Sequence, residues 1–545
     1  MRAIDLYAGI GGWSLGLRLA GVEVVASYEW WKPAIETHKG NHGGDFGPVD
    51  IRKLNLDTLP TNIDMVVGSP PCTEFSYSNR GGSGDIAEGM KDLVRFFEVV
   101  DRLKPRFWAM ENVPRVAEVL RAAFADPDHI LYQYRHLRPN IEVLDFSEFG
   151  TPQARRRCIA TNIPFENLKA YQPMLPKRTL GDVLNALAAQ DEVVDPLWGV
   201  VLRKEQLTET QAEPALNSEE LRMNREAKEY HPIYNNMAFP DPIDHPARTI
   251  TATCTRVSRE SIIIADPRSR NSMRRLTIRE RACLQGFPIT YQFFARSFAE
   301  KAKMVGNAIP PTVPYLLALA ARGVKPDDFA GYMGAADKLV LPDKVSPVTL
   351  PDKEGRSYPP TRAFRAALPG LRFKSGMRFE LANVTDGMST EWRIRFFFGQ
   401  SKDIREIDLE GDASLELKHN FVISPILESM QGEFAKAASV INRTDPESLQ
   451  LAWSHRCEGI GPYDIVDQIG ALASNLVSRL DAWLDAVARA DVADYVLALA
   501  EGGVKTQKLA NRAKLERNAV AILAGVVVGE WFNGLHWHSE RLAAA

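Results

Sequence analysis

Cys72 is the first residue in the chain whose setting suits chemistry. It follows Val66-Val67-Gly68-Ser69-Pro70-Pro71 and precedes Thr73-Glu74-Phe75-Ser76. The apolar run at 63–67 reads as a buried strand, and Gly68 with the two prolines ends it abruptly. The thiol therefore stands at a strand tip, at the mouth of a fold. An isolated cysteine is ordinarily a small buried hydrophobe. Here the strand end lies on one side and the polar, glycine-rich segment Ser78-Asn79-Arg80-Gly81-Gly82-Ser83-Gly84 on the other, which points to a nucleophile beneath a movable lid. A second apolar run, 107–110, leads straight into Glu111-Asn112-Val113-Pro114. In an open α/β sheet, ligands bind in the crevice beyond the carboxyl ends of the strands. A thiolate and a carboxylic acid there suit addition to an electron-poor ring that is protonated as it is attacked.

The elements that must position these groups alternate from the first residues. A strand at 3–7 runs into the turn Ala8-Gly9-Ile10-Gly11-Gly12, a helix spans 13–20, Gly21 stops it, and a strand at 22–28 ends at Glu29-Trp30. The Cys72 strand, an amphipathic helix at 91–103 and the Glu111 strand follow. This is the rhythm of a doubly wound parallel sheet. The glycine turn alone is weak: it lacks the Lys and Ser or Thr of a phosphate loop and the spacing of a dinucleotide fingerprint. Glu29 strengthens it as an acceptor for ribose hydroxyls. Trp30 offers a ring to stack on adenine, and Asp50 an acceptor for an adenine amino group. Together they describe a nucleoside cofactor site that needs no phosphate.

The chain has 545 residues, a net charge of −3, 45% hydrophobic and 25% charged residues, the profile of a globular protein. No run of about 18 apolar residues suggests a membrane span, and the opening shows no signal-peptide pattern. Five cysteines, widely spaced and odd in number, argue against a disulfide framework or a metal site and for a reducing, cytoplasmic setting. With so little net charge, nucleic-acid binding would have to come from local patches.

In its motifs the chain resembles a DNA (cytosine-5) methyltransferase. The matching elements occur in that family's order: Asp5-Leu6-Tyr7-Ala8-Gly9-Ile10-Gly11-Gly12, Glu29-Trp30, Asp50-Ile51, Pro70-Pro71-Cys72 with Phe75-Ser76, and Glu111-Asn112-Val113. They continue with Gln153-Ala154-Arg155-Arg156-Arg157, Arg248-Thr249-Ile250-Thr251 and Gly306-Asn307-Ala308-Ile309-Pro310-Pro311. The resemblance covers residues 1 to about 323. It implies methyl transfer from S-adenosylmethionine to carbon 5 of a cytosine flipped out of DNA. Cys72 would add to carbon 6, and Glu111 would hold the ring nitrogen and exocyclic amine. Arg155 and Arg157 would turn toward the target base and its phosphate. The implied cofactor site comprises Leu6, Tyr7, Gly9, Ile10, Gly11, Gly12, Glu29, Trp30, Asp50, Ile51, Asn307 and Ala308. The implied DNA contacts are Ser76, Ser78, Arg80, Arg248 and Thr249. No metal is implied. The partners expected are double-stranded DNA and a cognate endonuclease or defence-system protein, in a bacterial or phage setting. Two departures stand out: Tyr7 where the family usually has Phe, and Thr73 where Gln usually follows the cysteine.

The expected fold class is α/β, a Rossmann-like doubly wound sheet with a small target-recognition region, plus a C-terminal α+β accessory domain. The catalytic domain is placed at 1–162 and 246–323, the recognition region at 163–245, a linker at 324–361 and the accessory domain at 362–545. Arg268, Arg270, Arg274 and Arg275 form a basic cluster suited either to DNA phosphates or to plain solvation. Lys505, Lys508, Arg512, Lys514 and Arg517 form another. Two rival readings are a transfer-RNA cytosine-5 methyltransferase and a catalytically silent DNA-binding regulator. The large C-terminal domain argues against the first; Cys72, Glu111 and the glycine turn argue against the second.

Overall fold

The computed structural model describes residues 1–71, 75, 85–229, 236–267, 269, 272–351, 357–373, 376–385, 389–400, 403–409, 423–455, 457–501 and 511–535. Two compact units emerge: Met1–Ala227 with Ala238–Glu354, and Lys228–Met237 with Gly355–Ala545.

In the first unit, β1 (Arg2–Leu6), α1 (Gly12–Leu19), β2 (Glu23–Tyr28), α2 (Lys32–His42), β3 (Met65–Gly68), α3 (Ile86–Leu103) and β4 (Phe107–Asn112) follow the expected alternation. Then come α4 (Arg115–Ala125), β5 (Asn140–Asp145) and β6 (Arg156–Thr161). The strand order is β2-β1-β3-β4-β6-β5. The first four strands are parallel, but β6 runs antiparallel to both β4 and β5. The expected all-parallel sheet is thus a mixed one. The cause is the short β5–β6 connection, 146–155, which cannot house the crossover that parallel neighbours need.

The central strands β1, β3 and β4 form because their residues are mostly apolar and covered on both faces; Ala3, Ile4, Met65, Val66, Val67, Ala109 and Met110 have no exposed surface. Helix α3 starts where Asp85 accepts from the Glu88 amide and stops where Lys104 turns left-handed at φ 45°. Its buried stripe Leu93, Phe96, Phe97 and Val100 covers one face of the sheet. On the other face α1 lies against the helix Thr312–Ala321. A Cβ on Gly12 would sit 2.2 Å from the Ile309 carbonyl oxygen, and one on Gly16 2.6 Å from that of Pro311. Only glycine permits this approach, so the 306–311 segment closes directly over the glycine turn. The stretch Phe298–Ala321 is long and apolar enough to cross a membrane by composition; it is two helices, Phe298–Asn307 and Thr312–Ala321, mostly buried in this unit.

The segment expected to be a linker from 324 onward is instead packed. Tyr332 is 4% exposed, donates to the Phe149 carbonyl at 2.6 Å and sets its ring 5.0 Å from Trp198. Further on, Lys301 donates to the Pro347 carbonyl at 2.5 Å. The first unit accordingly extends to Glu354.

The second unit holds a four-stranded antiparallel meander, Arg365–Arg372, Arg378–Thr385, Thr390–Gln400 and Asp403–Asp408. Helices Pro462–Trp483 and Ala519–Asn533 pack on it. Phe379 and Phe396 stack at 4.5 Å within its core, and a Cβ on Gly525 would meet the Phe379 ring at 2.4 Å. Lys505 and Lys508 lie outside the described residues. Arg512 is paired with Glu516 at 2.9 Å.

Candidate active site

The carboxyl ends of β1, β3 and β4 lie side by side, with Leu6 opposite Gly68 and Gly68 opposite Met110. Cys72 lies outside the described residues, as do Ser76, Ser78 and Arg80. The residues leading to it are held firmly. Ser69 donates its amide to the Leu6 carbonyl at 3.2 Å and its Oγ receives the Trp13 indole N–H at 3.0 Å. Asn112 donates from Nδ2 to the Pro70 carbonyl at 3.0 Å. Phe75 is fully buried, in a cluster that includes Leu6, Ile51 and Phe96. Both sides of position 72 are thus tied to the strand ends that flank it.

Glu111 stands at this edge with only 5% of its surface exposed. Arg157, on the antiparallel neighbour β6, places Nε 3.0 Å from Glu111 Oε1 and donates from Nη1 to the Arg156 carbonyl. A carboxylate oriented in this way by a guanidinium suits the donors of a bound ring. Burial pushes the Cys158 thiol up to about 12 and the Cys283 thiol higher still, so neither is available as a thiolate at neutral pH.

Arg155 is bound on several sides. It is 2% exposed and donates to the carbonyls of Ile250 (3.0 Å), Gly306 (3.1 Å) and Ala308 (3.2 Å). These bonds knit three chain segments together. Gln153 does the same: its Oε1 accepts from the Ile250 amide at 2.8 Å and its Nε2 donates to Gln285. Beside them the Ala154 amide donates to the Ala247 carbonyl at 2.8 Å. The motifs at 153–157 and 248–251, far apart in sequence, are one structural patch. Within it Thr249, half-buried, donates to the Ala154 carbonyl at 2.9 Å. Arg248 is clamped on Asp241 and reaches the Ser261 carbonyl at 3.2 Å.

The basic cluster near 270 is corrected in part. Arg274 and Arg275 are 2% and 1% exposed and are spent on Glu280 and Glu213. Arg268 and Arg270 fall outside the described residues.

The nucleoside side is assembled from Glu29 outward. Its Oε2 accepts from the Gly9 amide at 2.8 Å and its Oε1 from the amides of Trp30 and Trp31, both at 2.8 Å. The Val49 amide donates to the Glu29 carbonyl at 2.8 Å, which brings Asp50 alongside. Asp50 Oδ1 accepts from the Arg52 amide at 3.1 Å, and Ile51 is buried. Trp30 is 69% exposed, its ring free at the rim. Gly9 has φ +53° with open space where a Cβ would be; Ile10, Gly11 and Gly12 are buried under it. Tyr7 takes φ 54°. Asn307 is exposed and Ala308 buried at the end of their helix.

Beneath the glycine turn lies a polar floor that motif reading does not reveal. Asp5 Oδ2 accepts from the Ser14 amide (3.1 Å) and Oγ (2.7 Å), and Ser14 Oγ meets His38 Nε2 at 3.0 Å. His42 Nε2 meets the Tyr291 hydroxyl at 2.9 Å, and that hydroxyl donates to the Ile10 carbonyl. Burial raises the Asp5 carboxyl to about 7 and lowers the His38 ring to about 3. The spacing of His38 and His42 along one helix face was the available signal.

Comparison with known proteins supplies the remaining finding. The description "C-5 cytosine-specific DNA methylase" matches residues 1–321. The chain is similar to the type II methyltransferase M.HindV of Haemophilus influenzae, at 27% identity over 331 residues, 59% of this chain and 96% of that one. It is equally similar to M.HgiDI of Herpetosiphon aurantiacus, at 27% over 329 residues, 58% and 93%. Superposed on the crystal structure of S. pombe Dnmt2 methyltransferase it covers 59% of this chain and 99% of that one, with 18% identity and a TM-score of 0.42.

Proposed function

The chain belongs to the C-5 cytosine-specific DNA methylases, and from that premise we propose how its own residues carry out methylation of carbon 5 of cytosine in DNA. The observation that carries the assignment is the strand-end pair. Glu111 is held by Arg157, and its neighbour Asn112 grips the carbonyl two residues before Cys72.

The family's methyl donor is S-adenosylmethionine, and the glycine turn fits it. Gly9 leaves open space at its Cβ position, Glu29 sets an anchored carboxylate at the strand end, and Trp30 offers an exposed ring. Glu29 and Asp50 would receive the ribose and adenine donors. Asn307 and Ala308 would close the opposite side. When bound, the donor supplies an electrophilic methyl group on a sulfonium.

Carbon 5 of cytosine is a poor nucleophile. The Cys72 thiolate forms a bond to carbon 6, which turns carbon 5 into the nucleophilic end of an enamine. Glu111 holds the ring nitrogen and exocyclic amine and favours the protonated ring. After carbon 5 is methylated, its proton leaves, the carbon 6–sulfur bond breaks and Cys72 departs. Arg157 orients Glu111 through these steps. Arg155 acts at a distance by fixing the 250 and 306–308 segments. Ser76, Ser78, Arg80 and Thr249 are assigned to DNA, with Arg248 bracing Thr249's segment.

The type II relatives support a place in restriction–modification, with a cognate endonuclease as partner. Labelled S-adenosylmethionine offered with duplex DNA and with transfer RNA tests the reading. Label in 5-methylcytosine of the duplex, lost in Cys72→Ser, is the expected result. Label only in transfer RNA would overturn it.

A further inference from the structure

One buried carboxylate joins the nucleoside side of the site to the helix that follows the Cys72 loop. Asp92 on α3 is 5% exposed. Its Oδ1 accepts from Arg52 Nε at 2.9 Å and its Oδ2 from Arg52 Nη2 at 2.6 Å. The Tyr7 hydroxyl donates to the same Oδ1 at 3.2 Å. Arg52 also donates to the Glu88 carbonyl at 3.1 Å and to the Glu88 side chain. One turn on from Asp92, Arg95 donates from Nε to the Ile51 carbonyl at 2.9 Å and from Nη2 to that of Leu54.

The arrangement spans three parts of the molecule. Tyr7 ends β1 just before the glycine turn, in a left-handed conformation that a bulky residue keeps only when its surroundings impose it. Arg52 belongs to the turn that presents Asp50 and Ile51. Asp92 sits on α3, whose first turn directly follows the Cys72 loop. A bidentate guanidinium–carboxylate pair fixes angle as well as distance. The Asp92 side chain is 7% exposed and that of Arg52 35%, so solvent screens the pair only in part. Tyr7 matters because its hydroxyl is what a phenylalanine there would lack.

We propose that Asp92 is a positioning residue for the cofactor: through Arg52 and Tyr7 it holds the Asp50–Ile51 turn and the start of the glycine turn at a fixed spacing. This rests on the reading that those two turns bind S-adenosylmethionine. Asp92 itself touches no substrate. Its loss acts on affinity for the cofactor, and the three residues act as one unit.

The test is calorimetric titration of the full chain with S-adenosylhomocysteine, for wild type, Asp92→Asn, Tyr7→Phe and the double variant, each checked for a cooperative thermal transition. Asp92→Asn is expected to weaken binding about tenfold and Tyr7→Phe about threefold. The double variant is expected to lose clearly less than the sum of the two single losses, because both act on one coupled contact. In turnover the change appears mainly in KM for the cofactor, with a smaller fall in kcat. Folded variants with wild-type affinity, or fully additive losses, overturn the proposal. Should Asp92→Asn not fold, Tyr7→Phe decides alone, since it keeps the ring. Failure of the wild type to bind would instead sink the cofactor reading itself.

Discussion

Arg157 Nε lies 3.0 Å from Glu111 Oε1 across adjacent antiparallel strands, with the two side chains 14% and 7% exposed. The contact orients the carboxylate before any substrate arrives, and it exists because β6 runs opposite to β4. Replacing Glu111 with Gln keeps the shape but turns one acceptor oxygen into a donor and removes the charge and the proton carrier. Steady-state methylation should fall by roughly 10²–10⁴-fold, while S-adenosylhomocysteine affinity by calorimetry stays near wild type. Arg157→Lys, which loses the planar fork, should cost less. An Arg157→Lys defect larger than that of Glu111→Gln would show that Arg157 works on its own account.

Glu29 links the glycine turn to the strand end, with the Gly9, Trp30 and Trp31 amides on its two oxygens. Glu29→Ala therefore removes an acceptor for the cofactor and loosens the turn that receives it. Hydrogen bonds to charged groups contribute roughly 1.5–3 kcal/mol each, so cofactor affinity should drop about tenfold or more. Unchanged affinity in a folded variant would remove Glu29 from the site.

Much of this was legible in the sequence because strand ends announce themselves. Apolar runs that stop at Gly68-Ser69-Pro70 and at Glu111-Asn112 mark one edge of a sheet, and the glycine turn marks the same edge. What escaped depended on partners distant in sequence. Arg275 reads as a cation facing DNA or solvent until Glu213 is seen beside it. That Arg155 also holds the Ile250, Gly306 and Ala308 carbonyls is equally invisible in the sequence. The 324–354 segment is polar enough to pass for a linker, yet Tyr332 anchors it by a ring contact and one hydrogen bond. Strand β6 reverses direction for want of connecting chain, which no local pattern signals.

Asp5 gives a pH-dependent signature. Its folded value of about 7 exceeds the ordinary 3.8 because burial disfavours its charge. A group raised in this way stabilises the fold fully below the unfolded value, and that stability is lost as pH rises through the folded one. Between about pH 4 and 7 the folded chain holds one more proton at Asp5 than the unfolded chain. Asp5→Asn removes that term. Urea unfolding across the range should give a variant-minus-wild-type stability difference that climbs by roughly 1.4 kcal/mol per pH unit and then levels off. His38, lowered to about 3, contributes the opposite slope to both proteins and cancels in the difference. A flat difference would mean Asp5 is charged in the folded protein throughout.

The two units allow a clean division by truncation. A chain ending at residue 354 should fold, bind cofactor and melt cooperatively. One ending at 322 loses the Tyr332 and Pro347 contacts and should be markedly less stable. Residues 228–237 of the recognition region group with the second unit. Removing 355–545 should therefore weaken duplex binding and flatten its dependence on salt, by roughly one unit of slope for each lost phosphate contact. Equal affinity and salt slope in fluorescence titrations would assign the second unit to another task.

The central claim, that Cys72 forms the bond to cytosine, is tested most directly by covalent capture. Duplex DNA carrying 5-fluorocytosine at the target base cannot lose a proton from carbon 5, so the sulfur–carbon bond should persist through denaturation. Incubated with S-adenosylmethionine, the protein should run as a DNA adduct, and digestion followed by mass spectrometry should place the adduct on the Cys72 peptide. Cys72→Ser should form none. An adduct on Cys254 or Cys457, or turnover of the fluorinated DNA without any adduct, would contradict the account.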